Sequence, residues 1–149
     1  MQWPGNKADI LRAVGHVLDQ QGATRVRVEE NDKALTLCFV AGLRAAETDY
    51  STWELQTLVE QARSRRGRES ATPGWGYEQK LRVVGEQLDR RSGRSIRIEE
   101  RGGSFVATFL SREAGRVRLT LTPIMLRDFV DVGRRRRAGS DERRRKVTF

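Results

Sequence analysis

The sequence predicts an α+β fold made by tandem duplication of an α-β-β-β-α unit, with antiparallel three-stranded sheets and helices on one face. The stretch LRAVGHVLDQQGATRVRVEE at 11–30 recurs as LRVVGEQLDRRSGRSIRIEE at 81–100, with nine of twenty positions identical. Alternating apolar residues typical of strands follow each copy, separated by turn residues. Because a unit of about 60 residues is marginal as an independent core, we expect the two units to pack together with pseudo-two-fold symmetry.

The first unit begins with a helix, since apolar residues recur at helical spacing from Leu11 to Leu18. Gly22 follows as a helix stop, and the alternating TRVRVEE predicts a half-buried strand. ALTLCFV predicts a second strand, and 44–50 a weaker third one. The Ser51-x-x-Glu54 spacing then predicts a capping box at the start of a second helix.

The second unit repeats this plan more clearly. Gly93 is expected to end its first helix, and SIRIEE, SFVATFL and RVRLTLT predict three strands. Gly102-Gly103 indicates a hairpin between the first two of them. Thr122-Pro123 is typical of a helix start. Gly15 and Gly85 occupy the same point in the two first helices, which indicates either close backbone approach or simple inheritance from the duplication.

The predicted organisation has four parts. The first repeat covers 1–66, a linker rich in Arg, Gly, Ser and Pro covers 67–76, the second repeat covers 77–137, and a basic tail covers 138–149.

Basic charge is distributed unevenly along the chain, whose formal net charge is +9. Residues 1–62 carry 6 basic and 9 acidic side chains, and residues 71–133 carry 11 and 8. The stretch at 63–70 has a net charge of +3 and 134–149 has +6, so the excess lies in the linker and tail. Basic runs of this kind favour an acidic partner such as nucleic acid.

The sequence contains no pattern typical of a transmembrane helix, a signal peptide or an internal disulfide. No run of about 18 apolar residues predicts a transmembrane helix, and the start MQWPGNKADI lacks the pattern of a signal peptide. With Cys38 as the single cysteine, no internal disulfide can form, and we expect a cytoplasmic, non-membrane protein.

No catalytic, cofactor or metal motif is predicted. His16 has no nameable partner for acid–base chemistry, and Cys38 is interpreted as a small strand residue. The pairs Glu29-Glu30 and Glu99-Glu100 are expected to be solvated carboxylates beside turns, because adjacent strand residues point to opposite faces. We therefore expect no enzyme, no bound metal and no cofactor.

Two arginine-rich features favour nucleic acid, either DNA or RNA, bound with low sequence specificity. One is the polar face of the predicted sheets, where arginines and threonines alternate with inward apolar residues; a plain solvated face is the competing interpretation. The other is the set of arginine runs in the linker and tail. The predicted phosphate-contacting residues are Arg90, Arg91, Arg94, Arg97, Arg116, Arg118, Arg134, Arg135, Arg136, Arg137, Arg143, Arg144 and Arg145.

The alternative hypothesis is a protein-interaction or chaperone-like adaptor module, or a homodimer, in which the basic tail aids solubility. The element order resembles that of the double-stranded RNA-binding domain and of small secretion-chaperone-like folds, in topology alone. The lysine-rich helix start of the former is absent from STWELQ and TPIMLR, which contain one basic residue, Arg127.

Overall fold

The computed structural model describes residues 1–64 and 76–130, which form four helices and six strands. In chain order these are α1 (Lys7–Gln21), β1 (Ala23–Glu30), β2 (Leu35–Ala41), β3 (Arg44–Tyr50), α2 (Thr52–Ser64), α3 (Tyr77–Arg90), β4 (Arg94–Arg101), β5 (Ser104–Ser111), β6 (Gly115–Leu121) and α4 (123–130). The α+β class is confirmed, and most of the predicted linker and the whole tail lie outside the described residues.

The strands form a single six-stranded antiparallel sheet in the order β3-β2-β1-β4-β5-β6. The expectation of separate three-stranded sheets is wrong, because β1 and β4 pair edge to edge through Arg27↔Glu99, Val28↔Ile98 and Glu29↔Arg97. An unpaired strand edge exposes backbone N–H and C=O groups, and this pairing satisfies them for the two first strands at once.

One apolar core lies between the sheet and the helices. Inward side chains of the strands, such as Val28 and Ile98, are fully buried, as are Leu11 and Leu81 of the first helices. Burial alternates along β1, β4 and β5, with the predicted apolar positions inward. In β2, Leu35, Leu37 and Phe39 are buried as predicted, and Thr36 is buried as well. The opposite face of the sheet, here called the outer face, carries mostly polar side chains.

The predicted helix boundaries have the expected caps, with one exception. Ser51 and Glu54 exchange hydrogen bonds as a capping box, each at 3.2 Å. Gly22 ends α1 in the left-handed conformation with φ of 61°. The end of α3 differs from the prediction, because Ser92 adopts positive φ while Gly93 instead makes room for the ring of Phe109.

Helices α1 and α3 pack against each other at very short distance through their mid-helix glycines. A Cβ added to Gly15 would lie 2.4 Å from the carbonyl oxygen of Tyr77, and one added to Gly85 would lie 2.6 Å from Cα of Ala8. Distances below about 3 Å are not tolerated between a Cβ and backbone atoms. Close backbone approach is therefore the role of both glycines.

Each of these two helices caps the other. The Asp19 carboxylate accepts hydrogen bonds from the backbone N–H groups of Tyr77 and Glu78, at 2.8 and 3.1 Å. The Asp89 carboxylate accepts from those of Lys7 and Ala8, also at 2.8 and 3.1 Å. Carboxylates satisfy the free N–H groups of a first helical turn and interact favourably with the helix dipole.

A second reciprocal contact joins β1 and β4 at their bulges. Glu30 accepts from the backbone N–H of Ile96 at 3.0 Å, and Glu100 accepts from that of Val26 at 3.3 Å. Both bulges follow a residue with positive φ, Arg25 in β1 and Ser95 in β4. The interpretation of Glu30 and Glu100 as solvated carboxylates beside turns is thus wrong, because each is half-buried and bonded to the bulge of the neighbouring strand.

Candidate nucleic-acid interface

The outer face of β4, β5 and β6 carries arginines in register across the three strands. In one row, Arg97 and Arg118 lie on either side of Thr108. In the next row, Arg116 pairs with Leu110. Residues directly opposite one another in an antiparallel ladder project on the same face, so this arrangement follows from the strand register.

These side chains border an open groove of about 810 Å³ on the outer face. Four arginines line it, and together they are here called the arginine patch: Arg97, Arg101, Arg116 and Arg118. Thr108 and Leu110 also line the groove, between the arginines of β4 and those of β6. Guanidinium groups form paired hydrogen bonds with phosphate, and a neighbouring hydroxyl can donate a further one.

Three glutamates also line this groove, Glu29, Glu30 and Glu99, and Glu29 lies opposite Arg97 in the ladder. The Glu99 carboxylate accepts a hydrogen bond from Arg101 at 3.1 Å, and this bond lowers its pKa. Burial opposes this effect, and Coulombic attraction from Arg101, Arg97 and Arg27 lowers the pKa further. Glu99 therefore remains charged, and the groove lining as a whole has four arginines against three glutamates.

The outer face of β1, β2 and β3 carries more acidic side chains than that of β4, β5 and β6. Glu29, Glu47 and Asp49 project there, and Arg27 lies opposite Cys38 in the ladder. Asp49 also accepts a hydrogen bond from Thr36 at 2.7 Å. Positive charge on the sheet is thus concentrated on the half formed by β4, β5 and β6.

The structure brings together only some of the predicted site residues. Arg97, Arg116 and Arg118 line one groove. Arg94 is exposed and precedes the bulge, with its Cα opposite Leu110.

Arg90 and Arg91 lie elsewhere, at the end of α3 and on the helix side of the sheet. Both are exposed, and Arg91 donates to Gln87 at 2.9 Å. The chain turns between α3 and β4, so Arg90 and Arg91 do not line the groove of the arginine patch.

The remaining predicted arginines lie in the last part of the second repeat and in the tail, beyond the residues that the structure describes. These are Arg134, Arg135, Arg136, Arg137, Arg143, Arg144 and Arg145.

Arg101 is a member of the patch that the sequence analysis missed. The predicted strand SIRIEE ends one residue before Arg101, which lies next to the Gly102-Gly103 turn. The signal was present, since Arg97, Glu99 and Arg101 alternate and must project on one face.

His16 and Cys38, the other residues considered for chemistry, both contact charged side chains of the fold. His16 Nδ1 lies 3.6 Å from Glu78, a buried residue that also accepts from Arg12 at 3.2 Å. Arg12 and Glu78 thus form an ion pair between α1 and α3, beside His16. Cys38 is half-buried on the outer face and accepts a weak hydrogen bond from Arg27 at 3.6 Å.

Among the described residues, no group of three or more His, Cys, Asp and Glu is placed to hold a metal ion.

None of the helices in the described part of the chain has the length and apolar composition needed to cross a bilayer. Comparison with known proteins gives no match to a protein family, a curated protein or a solved structure.

Proposed function

We propose that this protein is a non-enzymatic nucleic-acid-binding protein that holds the phosphate backbone with arginines of the second repeat, linker and tail. The observation that carries the proposal is the arginine patch, which concentrates guanidinium groups around one open groove. Backbone contacts of this kind supply affinity without reading sequence. Low sequence specificity is therefore part of the proposal.

The surroundings of the patch support a phosphate ligand. Arg116 and Arg118 lie in the edge strand β6 and are exposed, so a large ligand can reach them without displacing another element of the described fold. Thr108 lies between Arg97 and Arg118 in the same row across the strands and supplies a hydroxyl there. The sequence at 134–149 adds eight basic and two acidic residues, which would extend the contacts along the backbone.

Binding of short DNA and RNA, measured against salt concentration, tests this function. If about six phosphates are neutralised, log K should fall with log salt with a slope of about −5. Removing residues 134–149 should weaken binding and make the slope shallower. Absence of binding at about 50 mM salt, or an affinity unaffected by removal of the tail, would contradict the proposal.

We also propose that the two halves arose by tandem duplication and are related by a pseudo-two-fold axis between β1 and β4. The reciprocal caps of Asp19 and Asp89 support this relationship, as do the reciprocal bulge contacts of Glu30 and Glu100. Matching positions of the two halves are 70 residues apart in the first helices and strands and 71 residues apart in the last helices. The change comes from the turn between β2 and β3, which has two residues, and the turn between β5 and β6, which has three.

A protein-interaction module is a second candidate, favoured by exposed apolar side chains at matching positions. Trp53 and Ile124 are each the second residue of a helix, in α2 and α4, and each is 74% exposed. If they bind a second copy, sedimentation should show a dimer that Trp53→Ser with Ile124→Ser converts to a monomer. A parent protein that remains monomeric would contradict self-association.

A further inference from the structure

We propose that the arginine patch binds double-stranded rather than single-stranded nucleic acid. This inference rests on the proposed function and specifies the ligand of the same groove. It comes from two properties of the outer face: which side chains it lacks and how its arginines are spaced.

The first property is the absence of stacking side chains within the described part of the outer face. Phe105 and Phe109 of β5 both point into the core and are 1% exposed. Their outward neighbours on β5 are Val106, Thr108 and Leu110. Stacking on aromatic side chains contributes about 1–3 kcal/mol per base in proteins that bind single strands. A single strand lying across this face would gain none of that energy.

The second property is the spacing of the arginines. Arg97 and Arg118 are two strands apart, so their Cα atoms are separated by about 9.6 Å. Arg116 is two residues from Arg118 along β6, about 6.8 Å away. The face therefore presents arginines in two parallel columns, on β4 and β6, with Thr108 and Leu110 of β5 between them.

Glu99 lies between Arg97 and Arg101 in the column on β4, and the column on β6 holds Arg116 and Arg118. Two columns of arginines match a ligand with two lines of phosphates. The minor and major grooves of B-DNA are about 6 and 12 Å wide, so flexible arginines about 9.6 Å apart can reach phosphates on both sides of a groove. A duplex also releases more counterions for each phosphate contacted, with a salt slope of about −0.9 per phosphate against −0.7 for a single strand. A face that contacts only the backbone therefore gains more from a duplex.

The test compares the full chain binding to a duplex of about 20 base pairs and to one of its strands, in DNA and in RNA, at equal salt. We expect the duplexes to bind at least about tenfold more tightly than the single strands. The variant Arg97→Ala with Arg118→Ala should reduce this ratio by weakening duplex binding most. The control, Lys33→Ala with Arg44→Ala, removes the same charge from exposed positions in the first half and should keep the ratio.

The outcomes separate the two proposals. Equal or tighter binding of single strands, still weakened by Arg97→Ala with Arg118→Ala, would overturn the duplex preference and leave the binding function standing. Binding of neither form would overturn both proposals. Binding that responds equally to the patch variant and the control would overturn the duplex preference of the arginine patch. Circular dichroism of each variant establishes that it is folded.

Discussion

The phenolic hydroxyl of Tyr77 donates a hydrogen bond to the carboxylate of Glu100 at 2.7 Å, which ties the first turn of α3 to the end of β4. Glu100 accepts at the same time from the backbone N–H of Val26, in the bulge of β1. One carboxylate thus joins both halves of the sheet to a helix, and its contacts make the stability of the fold sensitive to alkaline pH.

Burial raises the pKa of Tyr77 above the usual tyrosine range, and the hydrogen bond to Glu100 and the charges of Glu100 and Asp19 raise it further. Because the pKa is higher in the folded chain, the associated stability is fully present below the unfolded value of about 10 and is lost as pH rises above it. Tyr77→Phe should therefore lose less stability between about pH 8 and pH 11 than the parent, as measured by urea denaturation. Tyr50, whose pKa is also raised by burial, contributes equally in both proteins. Equal losses in the parent and Tyr77→Phe would contradict this account of Tyr77.

The reciprocal aspartate caps predict a stability cost that is similar in the two halves. Asp19→Ala and Asp89→Ala should each lower the free energy of unfolding by about 1 kcal/mol, within a range of about 0.5–2, because each exposes two N–H groups of a first helical turn. Urea denaturation measures the cost. Asp32→Ala, in an exposed turn, is the control and should stay within about 0.5 kcal/mol of the parent. If Asp19→Ala matched this control, the cap between the helices would be ruled out.

The glycine contacts predict that a better helix former destabilises the protein. In an isolated helix, Gly15→Ala should be favourable by about 1 kcal/mol. Here its Cβ would collide with the backbone of Tyr77, so we expect a net loss of about 1–3 kcal/mol in thermal or urea denaturation. Gly5→Ala is the control, since a Cβ at Gly5 meets nothing within 4 Å. A parent-like stability of Gly15→Ala would contradict the close packing of α1 and α3.

Much of the secondary structure follows from local sequence patterns. Period-two alternation in β1, β4 and β6 identifies each inward face. The capping box of Ser51 and Glu54 and the helix end at Gly22 depend only on residues within one helical turn. The joining of two three-stranded sheets could not be predicted in this way, because nothing local to β1 or β4 distinguishes an edge that pairs from an edge that stays open.

The distinction between local patterns and long-range contacts also applies to the charged residues. Arg97, Arg116 and Arg118 could be placed on one face from alternation, and the strand register then put them around one groove. Asp19 and Glu30 were not recognised as structural, because their hydrogen-bond partners lie 58 and 66 residues away along the chain. Their identity with Asp89 and Glu100 in the repeat was the available signal, since a reciprocal contact requires the same residue in both copies.

The most direct test of the central claim is the salt dependence of duplex binding by Arg116→Ala with Arg118→Ala. Both residues are exposed on the edge strand, so the variant should remain folded. Each lost phosphate contact makes the slope of log K against log salt shallower by about 0.9, so we predict a change of about 2 relative to the parent. The control Lys33→Ala with Arg44→Ala should keep the parent slope. A slope for Arg116→Ala with Arg118→Ala equal to that of the parent would contradict phosphate binding by the arginine patch.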